Sequence, residues 1–223
     1  MEGLEFDEVW EDIYTRGEQL NQYPFDSVVS FLMRQCSGKE RRQIRVLELG
    51  CGAGNNLWAA AREGFKVVGI DASRAAISYA QKRFQEEKLS GAFYVANFVD
   101  LPIEDGTVDI VIDRAALNQV PHSVAKHAIR EAQRVLLPGG VIYSEIYSDE
   151  SRLKGTRVDG CYEQVASGLL SGIGQVATYS KDEIEKLFSP EFEIFSMRHR
   201  LEEEVVNTSE ALATWLIQGR KNG

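Results

Sequence analysis

Glu48 stands inside the apolar run "VLEL", two residues ahead of Gly50-Cys51-Gly52-Ala53-Gly54, so a carboxylate borders a turn made largely of backbone. Glycines between a strand and a helix let a ligand approach bare N–H groups at the positive end of the helix. Dinucleotide sites usually space their glycines G-x-G-x-x-G, whereas these are G-x-G-x-G, and Glu48 would repel a pyrophosphate. A ligand with a cationic end would accept it. Asp71 follows the next apolar run, where a carboxylate can accept from both hydroxyls of a ribose. Asn97 and Phe98 come after a third run. Asp113 and Arg114 end a fourth run, and Glu145 lies in a fifth as a candidate base or substrate contact. His122 is the residue type suited to proton transfer near neutrality, although its place after Pro121 equally suits local capping. His122 and His127 are five apart and do not share a helix face as metal ligands would, so no metal is expected.

These residues need elements that carry them to one place. From Ile44 onward short apolar runs alternate with segments of helical period, the pattern of βα units and a parallel sheet. Strands are expected at 44–49, 66–70, 92–96, 108–112 and 141–147. Helices are expected at 55–63, after the N-cap Ser73, and after Pro121, the last stopped by "LLPGG". Between Ser148 and Thr178 five glycines and no sustained period suggest a lid or small helical cap. A helix capped at Ser180 precedes "FEIFSMRHR" and "ALATWLIQGRK", which lie too close for a crossover helix and should pair antiparallel. Upstream, "FDEVWEDIY" and "PFDSVVSFLMRQC" fit helices.

One domain over residues 1–223 follows: N-terminal helices (1–43), a cofactor-binding core (44–147), a lid insertion (148–179) and a C-terminal helix with an antiparallel strand pair (180–223). The fold class is α/β, a doubly wound, mostly parallel seven-stranded sheet. A net charge of -9 is the wrong sign for a nucleic-acid partner. No apolar run approaches a membrane span, and Cys36, Cys51 and Cys161 are too scattered for a disulfide framework. A soluble, cytoplasmic protein is expected.

With Glu48 and the G-x-G-x-G turn as its first motif, the sequence resembles the class I S-adenosylmethionine-dependent methyltransferases. The resemblance extends over residues 44–147 through Asp71, "ANFVDLP" and "LLPGG". It implies a Rossmann-like fold and S-adenosyl-L-methionine as cofactor, with S-adenosyl-L-homocysteine as product. The implied cofactor residues are Glu48, Gly50, Cys51, Gly52, Gly54, Asn55, Asp71, Ala72, Asn97, Phe98 and Asp113. Glu48 would meet the cationic methionine end, Asp71 the ribose, and Asn97 with Phe98 the adenine, Asn97 standing where the family most often has Asp.

"DRAALNQVP" also looks like the "DRGAL" stretch of thiopurine methyltransferase-like enzymes, in which the arginine lies close to the acceptor; here Ala115 replaces the glycine. The resemblance thus implies an acceptor-side role for Arg114 alone, while Glu145, His122 and Tyr14 are acceptor-side candidates by residue type and position. Trp10, Tyr14, Arg16 and Tyr23 lie in an N-terminal stretch of the kind many such enzymes fold over the cofactor. Arg152, Lys154 and Arg157 with Arg114 suggest an anionic small-molecule acceptor. Rival readings are a noncatalytic cofactor-binding regulator, a nicotinamide dehydrogenase, and a protein or nucleic-acid methyltransferase. Against the last stand the acidic charge and the absence of an N-P-P-Y-type tetrapeptide.

Overall fold

A computed structural model describes residues 8–36, 40–158, 160–206 and 210–223. Helices α1 (Val9–Thr15) and α2 (Asp26–Gln35) precede the alternating core β1 (Arg45–Leu49), α3 (Asn55–Arg62), β2 (Lys66–Asp71), α4 (Arg74–Glu86), β3 (Ala92–Val95), β4 (Val108–Arg114), α5 (His122–Val135) and β5 (Leu136–Tyr147). Three two-residue strands follow, β6 (Arg157–Val158), β7 (Cys161–Tyr162) and β8 (Val176–Ala177), then α6 (Lys181–Phe188), β9 (Phe192–Glu203) and β10 (Ala211–Lys221). The start of the expected first helix, Phe6 and Asp7, lies outside the described residues.

The main sheet runs β3-β2-β1-β4-β5-β10-β9, parallel except where β10 pairs antiparallel with both neighbours. That is the expected seven-stranded doubly wound arrangement. Strand order reverses between β1 and β4, and a ligand cleft is expected outside the carboxyl ends of the strands there.

The alternating strand period divides each strand between two cores. Val46, Ile110, Ile112 and Tyr143 pack with α2, α3 and α4 on one face. Leu47, Val111, Ile142 and Ile146 pack with α5 and α6 on the other. Local signals place the helices: the Ser73 hydroxyl accepts from Ala76 N at 3.1 Å, and Ser180 with Glu183 forms a capping box ahead of α6.

Two expectations change. "LLPGG" does not form a separate stop, because α5 ends at Val135 and β5 begins at once with Leu136. Leu136 pairs with Val108, and a register shift before Ile110 absorbs Pro138 and the two glycines. Among the described residues the insertion is not helical either. Its strands form a small antiparallel sheet, β6-β7-β8, packed over a cluster of Tyr147, Val165, Leu170 and Val176. Glycine is common in hairpin turns and weakens helices, and Gly160, Gly168, Gly172 and Gly174 all have positive φ.

Candidate active site

The glycine turn has left-handed backbone at all three glycines, with φ of 59°, 51° and 74° for Gly50, Gly52 and Gly54. It needs the absence of side chains as well as the backbone freedom. A Cβ on Gly52 would lie 2.4 Å from the Tyr14 hydroxyl, and one on Gly50 would lie 2.4 Å from Ala116 Cβ.

Glu48 points toward α3 from the carboxyl end of β1 and is only 2% exposed. Its Oε1 accepts from Asn56 Nδ2 at 2.7 Å, while Oε2 is buried with no hydrogen-bond partner. Burial pushes its pKa up to about 8, against the pull of Asn56 and of the more distant Arg114 charge. A buried carboxylate oxygen without a donor is costly, and a ligand ammonium group would supply both a donor and a countercharge. Asn56, whose Oδ1 also accepts from Phe25 N at 3.0 Å, thereby ties Glu48 to the entry of α2.

Asp71 braces the same turn. Its Oδ2 accepts from Gly52 N and its Oδ1 from Ser73 N, both at 2.8 Å. Burial raises its pKa to about 6 in spite of those bonds. Each oxygen retains a lone pair for a further donor.

The cleft built on this turn has a volume of about 410 Å³. Glu48, Gly50, Cys51, Gly52, Asn55, Asp71, Ala72, Asn97 and Phe98 all line it. Gly54 lies behind the turn as the left-handed N-cap of α3, and Asn97 Oδ1 accepts from Val99 N at 3.1 Å, shaping its loop. Asn55 Nδ2 donates to Tyr23 O at 2.8 Å. Trp10 and Tyr14 of α1 close one side, their rings 5.9 Å apart, and Leu170, Ile173 and Gln175 of the insertion close another. One end of the Gln119 amide lies 2.9 Å from Gln175 O and 3.3 Å from both Ile173 O and Trp10 Nε1, joining the two covers.

Several expected site residues turn away from the cleft. Asp113 is fully buried on the α5 face, away from the cleft. Its oxygens accept from Ala116 N at 2.9 Å, from Leu117 N at 3.1 Å and from the Ser144 hydroxyl, so it holds the turn after β4 instead of the cofactor. Glu145 is 2% exposed and lies behind Arg114 without lining the cleft, which places it badly for a base. Its Oε1 takes the Ser27 and Tyr143 hydroxyls. His122 also lies outside the cleft: its ring stacks on Tyr179 with centroids 4.0 Å apart, and its Nε2 donates to Thr178 O at 3.1 Å. Of the basic residues of the insertion, Arg157 turns to Thr178 and Arg152 to Glu203, and neither lines the cleft. Of the N-terminal stretch, Arg16 pairs with Glu18 and Tyr23 is largely exposed.

Arg114 and Tyr14 do reach the cleft. Arg114 stacks on Phe25, its guanidinium carbon 3.6 Å from the ring centroid. Asn56 and Gln119 were missed by sequence reasoning. Asn56 carried a usable signal, being the second residue of α3 and so one turn above the strand that holds Glu48.

The strand order, the bare-backbone turn beside a buried acid, and the second acid at the end of β2 give the chain a Rossmann-like architecture, the one that class I methyltransferases share. Residues 46–140 match the family model described as "Methyltransferase domain". The chain is 30% identical over 146 residues to a demethylmenaquinone methyltransferase of Bacillus cereus, covering 60% of this chain and 59% of that one. It is 28% identical over 127 residues to an arsenite methyltransferase of Aquipseudomonas alcaligenes, covering 52% and 36%. The chain therefore spans between about a third and three fifths of the length of these curated relatives. A solved structure of a Burkholderia thailandensis 1,6-didemethyltoxoflavin-N1-methyltransferase with bound S-adenosylhomocysteine superposes with a TM-score of 0.71 at 14% identity, over 96% of this chain and 88% of that one, a likeness of fold. S-adenosylmethionine is the cofactor of this class, and the unpartnered Glu48 Oε2 beside the open turn fits its cationic end.

Proposed function

We propose that the protein transfers a methyl group from S-adenosylmethionine to a small molecule by in-line displacement. The observation that carries this reading is the buried, unpartnered oxygen of Glu48 at a turn whose glycines leave room for a ligand. The bound cofactor supplies an already activated methyl group on a sulfonium. The remaining work falls to the chain's own residues. Glu48 would hold the amino-acid end, Asp71 would accept from the ribose hydroxyls, and Asn97 with Phe98 would flank the adenine.

The acceptor would enter between Phe25, Arg114, Tyr147 and the insertion, since these line the cleft beyond the turn. Positioning alone can remove ~7–11 kcal/mol from such a barrier, so the first requirement is a closed and oriented cleft. Trp10, Tyr14, Leu170 and Ile173 would exclude water. The described residues contain no helix long and apolar enough to cross a membrane, and the reduced thiols Cys36, Cys51 and Cys161 suit a cytoplasmic setting.

The test is calorimetry with S-adenosylhomocysteine followed by a cofactor-consumption screen over small acceptors. Saturable binding that weakens in Glu48→Gln, with turnover of at least one acceptor, is expected. Binding of NAD in place of the thioether would overturn the reading, and thioether binding without turnover of any acceptor would favour a regulator.

A further inference from the structure

Arg114 is left with unmet donors. Its guanidinium carries five N–H groups, and none makes a hydrogen bond within the described residues; Nε is also shielded from solvent. Its nearest carboxylate oxygen, Glu145 Oε2, is 3.6 Å from Nε, too far for a hydrogen bond. Glu145 does not belong to Arg114 alone. The same Oε2 lies 3.6 Å from Arg200 Nη2, while Oε1 is taken by Ser27 and Tyr143. Arg200 reaches across from β9 and also lies 3.4 Å from Glu202, an exposed acid screened by water. One buried carboxylate is thus shared by two guanidinium groups, and the one that lines the cleft keeps an uncompensated fork of donors.

The cleft carries both signs of charge as a result. Glu48 and Asp71 sit at the glycine turn, where they favour a cation, and Arg114 lines the same cleft from the end of β4, the strand paired with β1. Phe25 lies against the guanidinium, its ring centroid 3.6 Å from the guanidinium carbon, and restrains it in the cleft wall. A planar fork of this kind matches the two oxygens of a carboxylate or phosphate better than any neutral group.

We propose that the methyl acceptor carries an oxyanion, received by Arg114, and that Glu145 and Arg200 act as positioning residues that hold the guanidinium and keep it under-neutralised. This rests on the reading of the cleft as a methyl-transfer site and names the class of molecule that fills its second half.

The test uses the full chain saturated with S-adenosylhomocysteine, following the Arg114 Nε–H resonance by NMR. Benzoate, phenyl phosphate and the neutral isostere benzamide are titrated separately. Benzoate or phenyl phosphate should shift the resonance saturably, and the stronger of the two identifies the oxyanion. Benzamide should not. Arg114→Gln should abolish anion binding, Arg200→Gln should weaken it roughly three- to tenfold, and Arg200→Lys should restore part of the loss, as expected of a charge held near the site. Thioether affinity should be unaltered in both Arg200 variants. Calorimetry reads anion binding in the variant that lacks the resonance, and the proposal is overturned if benzamide binds as well as benzoate, if Arg114→Gln still binds either anion by calorimetry, or if neither anion registers with the wild type by roughly 50 mM, where even a ~10 mM site would be mostly filled. Failure of the wild type to bind the thioether at all would instead sink the methyl-transfer reading, so the two failures are distinguishable.

Discussion

Glu11 of α1 reaches the first turn of α4, its Oε2 accepting from the Ser73 hydroxyl at 2.6 Å and from Ala75 N at 3.2 Å. The hydroxyl it engages is the one that caps α4, so a single residue latches the N-terminal cover onto the element that follows Asp71. The Ser73 hydroxyl is the main reason the Glu11 pKa is lowered, with backbone donors at the helix start adding to it. Glu11→Gln is expected to release S-adenosylhomocysteine about two- to fivefold faster with little change in melting temperature, because the latch is solvent-screened. Stopped-flow dissociation measures this; an unchanged off-rate would show that α1 does not gate the cleft.

With Glu48 in its proposed role, cofactor binding should depend on pH. Its pKa is raised to about 8 by burial, and those of Asp71 and Asp113 to about 6. Each acid holds its proton more tightly folded than unfolded, where carboxyl values lie near about 4. The ligand-free fold therefore loses stability as pH rises, through about 6 for the two aspartates and about 8 for Glu48. A ligand ammonium prefers ionised Glu48, so affinity for S-adenosylhomocysteine should climb over the same range, with a proton released on binding. Glu48→Gln should cost roughly 10–100-fold in affinity, as losing a charge-assisted bond does, and should flatten the upper part of the profile. Calorimetry in buffers of differing ionisation enthalpy checks both; constant affinity from pH 6 to 8.5 would contradict the assignment.

Gly52→Ala places a methyl group against the Tyr14 hydroxyl and forces a non-glycine residue to φ 51°. Thioether binding should fall below detection. Adding Tyr14→Phe removes the clashing oxygen but not the backbone strain, so only part of the affinity should return. Full recovery in the double variant would mean that left-handed backbone at position 52 carries no cost.

Ala115 has φ 63°, a conformation that costs a residue with a Cβ about 1–2 kcal/mol. Ala115→Gly relieves that strain and offsets it with about 0.4–1 kcal/mol of added unfolded-state freedom. The expected result in urea unfolding is a gain of a few tenths to ~1 kcal/mol. Ala115→Val should destabilise, since a branched Cβ fits this region poorly. A destabilised glycine variant would refute the strain account.

His122 holds α5 to the insertion through Tyr179 and Thr178. His122→Gln should reduce stability by ~1 kcal/mol, as loss of a buried contact of this size does, and leave the pH profile of turnover unmoved. A lost acidic limb in that profile would restore His122 as a base.

The alternation of apolar runs with helical period fixed the order of the core elements in the sequence itself, because each βα unit forms from local pattern and local caps. Glu48, the three glycines and Asp71 were legible for the same reason: all lie at ends of strands, within a few residues of the turns they serve. Neighbouring residues on a strand were harder to judge. Asp113 and Arg114 differ by one position and so face opposite sides of the sheet, and only the packing of α5 on one face and α2 on the other decides which of them sees the cleft. The insertion offered glycines without period, and its hairpins depend on what they cover. Arg200, Ser27 and Glu145 meet only because β10 and β9 return antiparallel beside β5 and because α2 crosses the same face. Sequence alone thus determined the strand-end chemistry at the glycine turn, since it depends on contacts short in chain distance; tertiary structure decided which charges meet, since their separation along the chain exceeds a hundred residues in the case of Ser27 and Glu145.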